Sequence, residues 1–255
     1  FYTRRGFDPA SMGYRFRGRL MIPIRDHQGR ISAFTARQLE LTPQGDPSRE
    51  AKYVNSPETP LFNKGAILFN MDRARMEVGP EVPFVMVEGQ LDAIRCWSVG
   101  LRGVVAPQGT GITDSQLRLI KRYEPRMLCL MDGDRAGMQA ALRMLPIALS
   151  QGVETSFIPL NEGEDPDDFL KEKGAEALEE LLSREIDAMT FAANAIVEKP
   201  QELSPQAKAN AASRLFGTIV KADSETAQIE FVKQIAAILE IDTSAAIRDF
   251  ARFKK

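Results

Sequence analysis

The chain has 255 residues, with 33 Lys and Arg against 35 Asp and Glu, a net charge of −2, and 44% hydrophobic residues. That composition suits one large or two modest globular domains at roughly 100–200 residues each, and no apolar run reaches the roughly 18 residues of a membrane span. Two cysteines, Cys96 and Cys129, and the single His27 exclude a disulfide framework and a Cys/His zinc site within the chain.

The N-terminal part reads as β-rich. Leu20–Ile24 and Arg30–Thr35 flank the turn Asp26-His27-Gln28-Gly29, which predicts a hairpin with His27 as a turn residue. A polar loop follows from Thr42 to Glu50, broken by Pro43, Gly45 and Pro47. Lys52–Pro60 is extended and restricted by Pro57 and Pro60. From residue 83 the pattern changes. Short apolar strands are expected at 83–87, 103–106, 127–131 and 155–158, with helices at 90–99, 113–123 and 136–149 between them. Thr113 is the expected cap of the second helix. A loop is expected from Glu162 to Asp168. Strands alternating with helices of this length imply βαβ units and a parallel sheet. From about Ala175 the chain is helical, with apolar residues at helical spacing through Leu178, Leu181, Leu182, Phe231, Ile235 and Ile238. Ser204-Pro205 and Asp242 are the expected helix starts. The fold class is therefore α/β, α+β overall. A β-rich basic part (1–80) precedes a parallel-sheet core (81–174), and a helical part (175–255) follows.

Charge follows this division. Residues 1–75 carry 13 Lys and Arg against 7 Asp and Glu, residues 76–180 carry 10 against 18, and the remainder 10 of each. A basic segment folded into one patch suits nucleic acid or phosphate. Acids packed together repel one another unless cations hold them.

In a parallel α/β sheet, ligands bind outside the carboxyl ends of the strands. Glu88 follows one strand, Asp132 and Asp134 another, and Asp165 and Asp167 lie in the loop after a third. Gly133 is expected to let the backbone turn tightly between the two Asp residues. Hard oxygen ligands at this density suit Mg²⁺ or Mn²⁺, which also bind substrate phosphates. Asp92 lies one helical turn beyond Glu88, where it could orient a ligand or reach a metal through water.

A strand-end Val87-Glu88-Gly89 followed by Met131-Asp132-Gly133-Asp134-Arg135-Ala136-Gly137 resembles the Toprim domain. Further motifs resemble the RNA polymerase core of bacterial DnaG-type DNA primases. Glu88–Ala93 is similar to that family's "EGYMD", with Gln90 and Leu91 as departures, and Ala106–Thr110 parallels "ASLGT". Glu164–Asp168 matches "EDPD", Arg15–Ile24 resembles "RFRxRxMFPI", Lys52–Thr59 resembles "KYLNSPET", and Phe62–Gly65 resembles "FHKG". The resemblance covers roughly residues 14–174.

It implies synthesis of short RNA primers from ribonucleoside triphosphates on single-stranded DNA during replication. Glu88, Asp132, Asp134, Asp165 and Asp167 would hold Mg²⁺ or Mn²⁺; Glu88 could instead act as general acid or base for the 3′-hydroxyl. Arg15, Arg37, Lys52, Asn55 and Lys64 align with template- and nucleotide-contacting positions, joined by Arg17 and Arg19. Tyr53 could stack a base, although burial is the stronger expectation. Phe1-Tyr2-Thr3 carries no initiator Met or signal pattern and reads as the start of an excised fragment. The family's zinc-binding module is then expected outside it, so no zinc is expected within. Contact with the replicative helicase is expected only through a domain outside this chain. A cytoplasmic monomer with no membrane contact is expected, its cysteines buried as reduced thiols. The alternatives are another Toprim enzyme, a nuclease or topoisomerase fragment, or a non-catalytic Toprim binding module. A topoisomerase needs a nucleophilic Tyr, and Tyr2, Tyr14, Tyr53 and Tyr123 lack a supporting motif.

Overall fold

The computed structural model describes residues 16–44, 49–109, 111–174 and 176–255. These divide into a unit that ends at Asn63 and a unit from Lys64 to Lys255. In the first, β1 (Arg19–Arg25) and β2 (Ile31–Gln38) form the expected antiparallel hairpin, and β3 (Tyr53–Asn55) pairs antiparallel with the other edge of β2. The turn is closed by Asp26, whose Oδ1 accepts from the backbone N–H of Gln28 at 2.9 Å and of Arg30 at 3.0 Å. This is how a short acidic side chain stabilises a turn.

The second unit begins with a 3-10 turn at Lys64–Ala66 and α1 (Met71–Ala74). Then come β4 (Phe84–Met86), α2 (Gln90–Ser98), β5 (Val104–Val105), α3 (Asp114–Tyr123), β6 (Arg126–Cys129), α4 (Arg135–Ser150) and β7 (Glu154–Phe157). Next are α5 (Pro166–Lys173), α6 (Ala177–Leu182), β8 (Ile186–Asp187), α7 (Ala188–Asn194), α8 (Pro205–Ile219), α9 (Glu225–Ile238) and α10 (Thr243–Phe253). The sheet order is β5-β4-β6-β7-β8; the first four strands are parallel and β8 is antiparallel. Thr113, Ser204 and Asp242 cap α3, α8 and α10 as expected, each accepting from a backbone N–H in the first turn.

Alternate residues of the central strands feed two cores. Phe84, Met86, Met127, Cys129 and Phe157 face a core shared with α3, α4 and α7–α10, while Val85, Val87, Leu128 and Leu130 face one shared with α2, α5 and α6. Burial on both faces is why these strands read as unbroken apolar runs. Cys96 and Cys129 are free and buried. The helices after residue 187 pack on the same core as the sheet, and the Phe157 ring stacks on Phe191 of α7 at 3.9 Å. Two features differ from the expected elements. The stretch 162–168 is not all loop, because Asp165 caps α5 and Pro166 opens it. Within the helical part, β8 returns to the sheet. Among the described residues no helix is long and apolar enough to cross a membrane.

Candidate metal centre at the sheet edge

β4 and β6 are parallel neighbours with Met86 opposite Cys129, so their exits carry Glu88 and Asp132 side by side. Glu88 Oε1 accepts from the backbone N–H of Asp132 at 3.2 Å. Asp134 then caps α4, accepting from the Gly137 N–H at 2.8 Å. Gly137 has no room for a side chain: a Cβ there would lie 2.3 Å from the Asp132 carbonyl oxygen and 2.6 Å from Glu88 Oε1. Gly133 is required for space as well, and the expected turn conformation is not the reason. It is absent from the positive-φ glycines, but a Cβ there would lie 2.0 Å from the Asn161 carbonyl oxygen. Its N–H donates to the Glu164 carbonyl at 2.8 Å, which docks the loop after β7 against the Asp132–Asp134 segment.

That loop delivers Asp165, which caps α5 by accepting from the Asp168 N–H at 2.7 Å. Asp167, one step into the helix, pairs with Arg95 of α2 at 2.6 Å. Asp92 is not stacked on Glu88 along one helix, because α2 starts only at Gln90. It turns back to accept from the Gly89 N–H at 2.9 Å. Gln90 donates to the buried Gln108 at 2.6 Å, tying this turn to the exit of β5. An apolar cavity of about 450 Å³, with Met86, Met131 and Met144 in its wall, opens beside Glu88.

The electrostatics separate these acids. Burial pushes the Asp132 carboxyl up to about 7, and the charges of Glu88, Asp92, Asp165 and Asp134 push in the same direction. Burial also raises Glu88; the Asp132 N–H opposes this, and Asp134 and Asp92 add to it. Among the described residues no three His, Cys, Asp or Glu side chains close around a single point as a complete protein cage would. Mg²⁺ does not need such a cage. It binds through one or two carboxylates, keeps several waters and takes substrate phosphates. An all-oxygen donor set that raises the proton affinity of Asp132 and Glu88 fits a divalent cation. Sequence reasoning missed Arg95 and the contacts that Gln108 and Glu164 make, since their partners lie far away in the chain.

The cationic candidates are spread over both units. In the first, Arg37 and Tyr53 are cross-strand neighbours, and the guanidinium lies 5.9 Å from the ring centroid. Asn55 shares their face and accepts from the Thr35 hydroxyl. Tyr53 is 37% exposed, against the expectation of burial. Lys52 and Arg17 are exposed. Arg19 is 7% exposed, and its Nη1 donates to the Ala51 carbonyl at 2.9 Å. This bond ties the start of β1 to the segment ahead of β3. Lys64 opens the second unit and is half-buried; its carbonyl accepts from Gln116 Nε2 at 3.0 Å. Arg15 lies outside the described residues.

Residues 6–75 match the family described as "DNA primase catalytic core, N-terminal domain", and residues 85–170 match "Toprim-like". A DNA primase of Aquifex aeolicus is 38% identical over 183 residues, 71% of this chain and 36% of that protein. The chain thus spans about a third of that relative's length. A structure of the DnaG catalytic core is 31% identical with a TM-score of 0.75, covering 91% of this chain and 74% of the other. A structure of the DnaG primase catalytic domain bound to single-stranded DNA is 31% identical with a TM-score of 0.73, covering 88% and 71%. These matches take in both units and the carboxylate-bearing sheet edge, and the chain belongs to the DnaG-type DNA primase family, carrying its catalytic-core N-terminal domain and its Toprim domain.

Proposed function

We propose that this chain is the part of a primase that joins ribonucleoside triphosphates into RNA primers on a single-stranded DNA template. The observation that carries the reading is the Glu88–Asp132 contact at adjacent strand exits, with Asp134 and Asp165 close enough to raise the Asp132 carboxyl. Glu88, Asp132, Asp134 and Asp165 would hold Mg²⁺ or Mn²⁺, and Asp167 would join them if it left Arg95. A bound divalent ion supplies charge neutralisation at the transferring phosphoryl group and lowers the pKa of an attacking hydroxyl. The protein's own contribution is positioning. The Asp132 N–H fixes the direction of Glu88, and the Gly137 N–H fixes Asp134. Arg37, Lys52, Lys64, Arg17 and Arg15 supply phosphate contacts that are insensitive to base sequence, Asn55 adds a polar contact, and exposed Tyr53 supplies a ring for stacking. Helicase contact belongs to a part of the protein outside this chain.

The test is primer synthesis by the full-length protein on single-stranded DNA. Asp132→Asn should abolish synthesis and leave single-stranded DNA binding within about twofold. Plasmid cleavage or relaxation in place of synthesis would favour another Toprim chemistry, and undiminished synthesis by the variant would remove the site assignment.

A further inference from the structure

Three of the acids named above sit on segments that meet at one residue, Glu164. Its carbonyl accepts the Gly133 N–H at 2.8 Å, between Asp132 and Asp134, and Asp165 follows it in the chain. The Glu164 carboxylate in turn accepts from Asn161 N and from Asn161 Nδ2, both at 3.0 Å, which closes the 161–164 turn on itself. The remaining partner comes from outside the loop. Arg184, in the turn ahead of β8, donates to Glu164 through Nη1 at 3.0 Å and to Glu180 through Nη2 at 2.9 Å. Its guanidinium lies 4.9 Å from the Phe169 ring centroid, over the α5 helix that Asp165 caps. A planar fork held between two carboxylates and a ring has one orientation; an ammonium in its place could not span all three.

We infer that Arg184 is a positioning residue for the metal centre, acting through Glu164 to fix the spacing between Asp165 and the Asp132–Asp134 pair. It touches none of these carboxylates among the contacts described, so its influence runs through the loop. The inference rests on the primase reading only in taking those carboxylates as the site of a divalent ion. Without the guanidinium, the 161–164 turn keeps its internal hydrogen bonds but loses its anchor to α6 and β8. The segment carrying Asp165 can then shift relative to Gly133, and a cation shared between the two strand exits binds less tightly. Glu180 holds the other prong of the fork from α6, outside the 161–164 turn, which makes it the internal control.

The experiment is calorimetric titration of Mg²⁺ into the full-length protein and its variants, with the Mg²⁺ concentration giving half-maximal primer synthesis measured alongside. Arg184→Ala should weaken Mg²⁺ binding at least fivefold and raise the activation midpoint in parallel. Glu164→Gln should do the same, and the double variant should be no worse than either single one. Arg184→Lys should fall between wild type and Arg184→Ala, and Glu180→Gln should leave Mg²⁺ affinity within twofold. Unchanged Mg²⁺ affinity in both Arg184→Ala and Glu164→Gln, whatever their thermal stability, overturns the assignment, as does an additive double variant. Absence of Mg²⁺ binding by the wild type would overturn the metal-centre reading itself, a different result from equal binding by wild type and variant.

Discussion

Replacing Gly137 by alanine tests whether the geometry at the sheet edge is as tight as the structure has it. The added methyl would be 2.3 Å from the Asp132 carbonyl oxygen and 2.6 Å from Glu88 Oε1, well inside van der Waals contact. The first obstacle is backbone, so it cannot swing away as a side-chain tip would. On a free helix the same change is favourable by about 1 kcal/mol, because alanine loses less backbone entropy than glycine. Overpacking a tight site costs about 1–3 kcal/mol, so the balance is a net loss of about 1 kcal/mol, or a fall in Tm of about 2–4 °C for a chain of this size. Activity should suffer more. Relieving the contact moves Asp132 or Glu88 by something near 1 Å, and a misplacement of that size can cost about 100-fold in rate. The assay is thermal unfolding followed by circular dichroism, with primer synthesis at saturating Mg²⁺. Ala136→Gly, an exposed neighbour in the same turn, controls for helix propensity. If Gly137→Ala were as stable as wild type or more so, and fully active, the crowding argument would be refuted.

Four further outcomes follow from the charges and exposures at the two sets of residues. Asp132 keeps its proton in the folded state over a range in which the unfolded chain has released it, and Glu88 shifts in the same direction. The Asp132 contribution to stability is therefore greatest below about pH 4 and is lost as pH rises through about 7. In EDTA the Tm of wild type relative to Asp132→Asn should fall between pH 5 and pH 7.5, and Mg²⁺ should restore it; a rise would contradict the assignment. Arg95 already neutralises Asp167, so Asp167→Asn should weaken Mg²⁺ binding less than Asp132→Asn does. The half-exposed Arg95–Asp167 pair should show a coupling energy below about 1 kcal/mol in a double-mutant cycle. Tyr53→Ala should lower single-stranded DNA affinity about tenfold, at the low end of about 1–3 kcal/mol for base stacking, with little change in Tm. Fluorescence anisotropy with labelled oligonucleotides would show it, and unchanged affinity would rule out the stacking role.

The sheet was readable from the sequence because parallel strands covered on both sides leave compact apolar runs, as in Phe84–Val87 and Met127–Leu130. Helix starts were readable where a short polar side chain caps a backbone N–H, as at Thr113, Ser204 and Asp242. β8 was not, since two residues are too few to show any period. The pairing of Asp167 with Arg95 was also hidden, because the two lie 72 positions apart in the chain. The exposure of Tyr53 could have been inferred. In a strand with Val54 buried, the residues on either side point the other way, which puts Tyr53 and Asn55 on the more open face. The role of Gly133 depends on a carbonyl delivered from residue 161, a contact that no local pattern announces.

The stacking of Phe157 on Phe191, with the later helices seated on the same core as the strands, bears on how this catalytic region can be divided. A truncation after α5 would retain every candidate metal-binding carboxylate but remove α7–α10 from the core they share with α3 and α4, uncovering the Phe157 face that Phe191 stacks on. Such a piece would keep the candidate carboxylates on a scaffold with its core opened, so the smallest useful excision has to keep the helical tail.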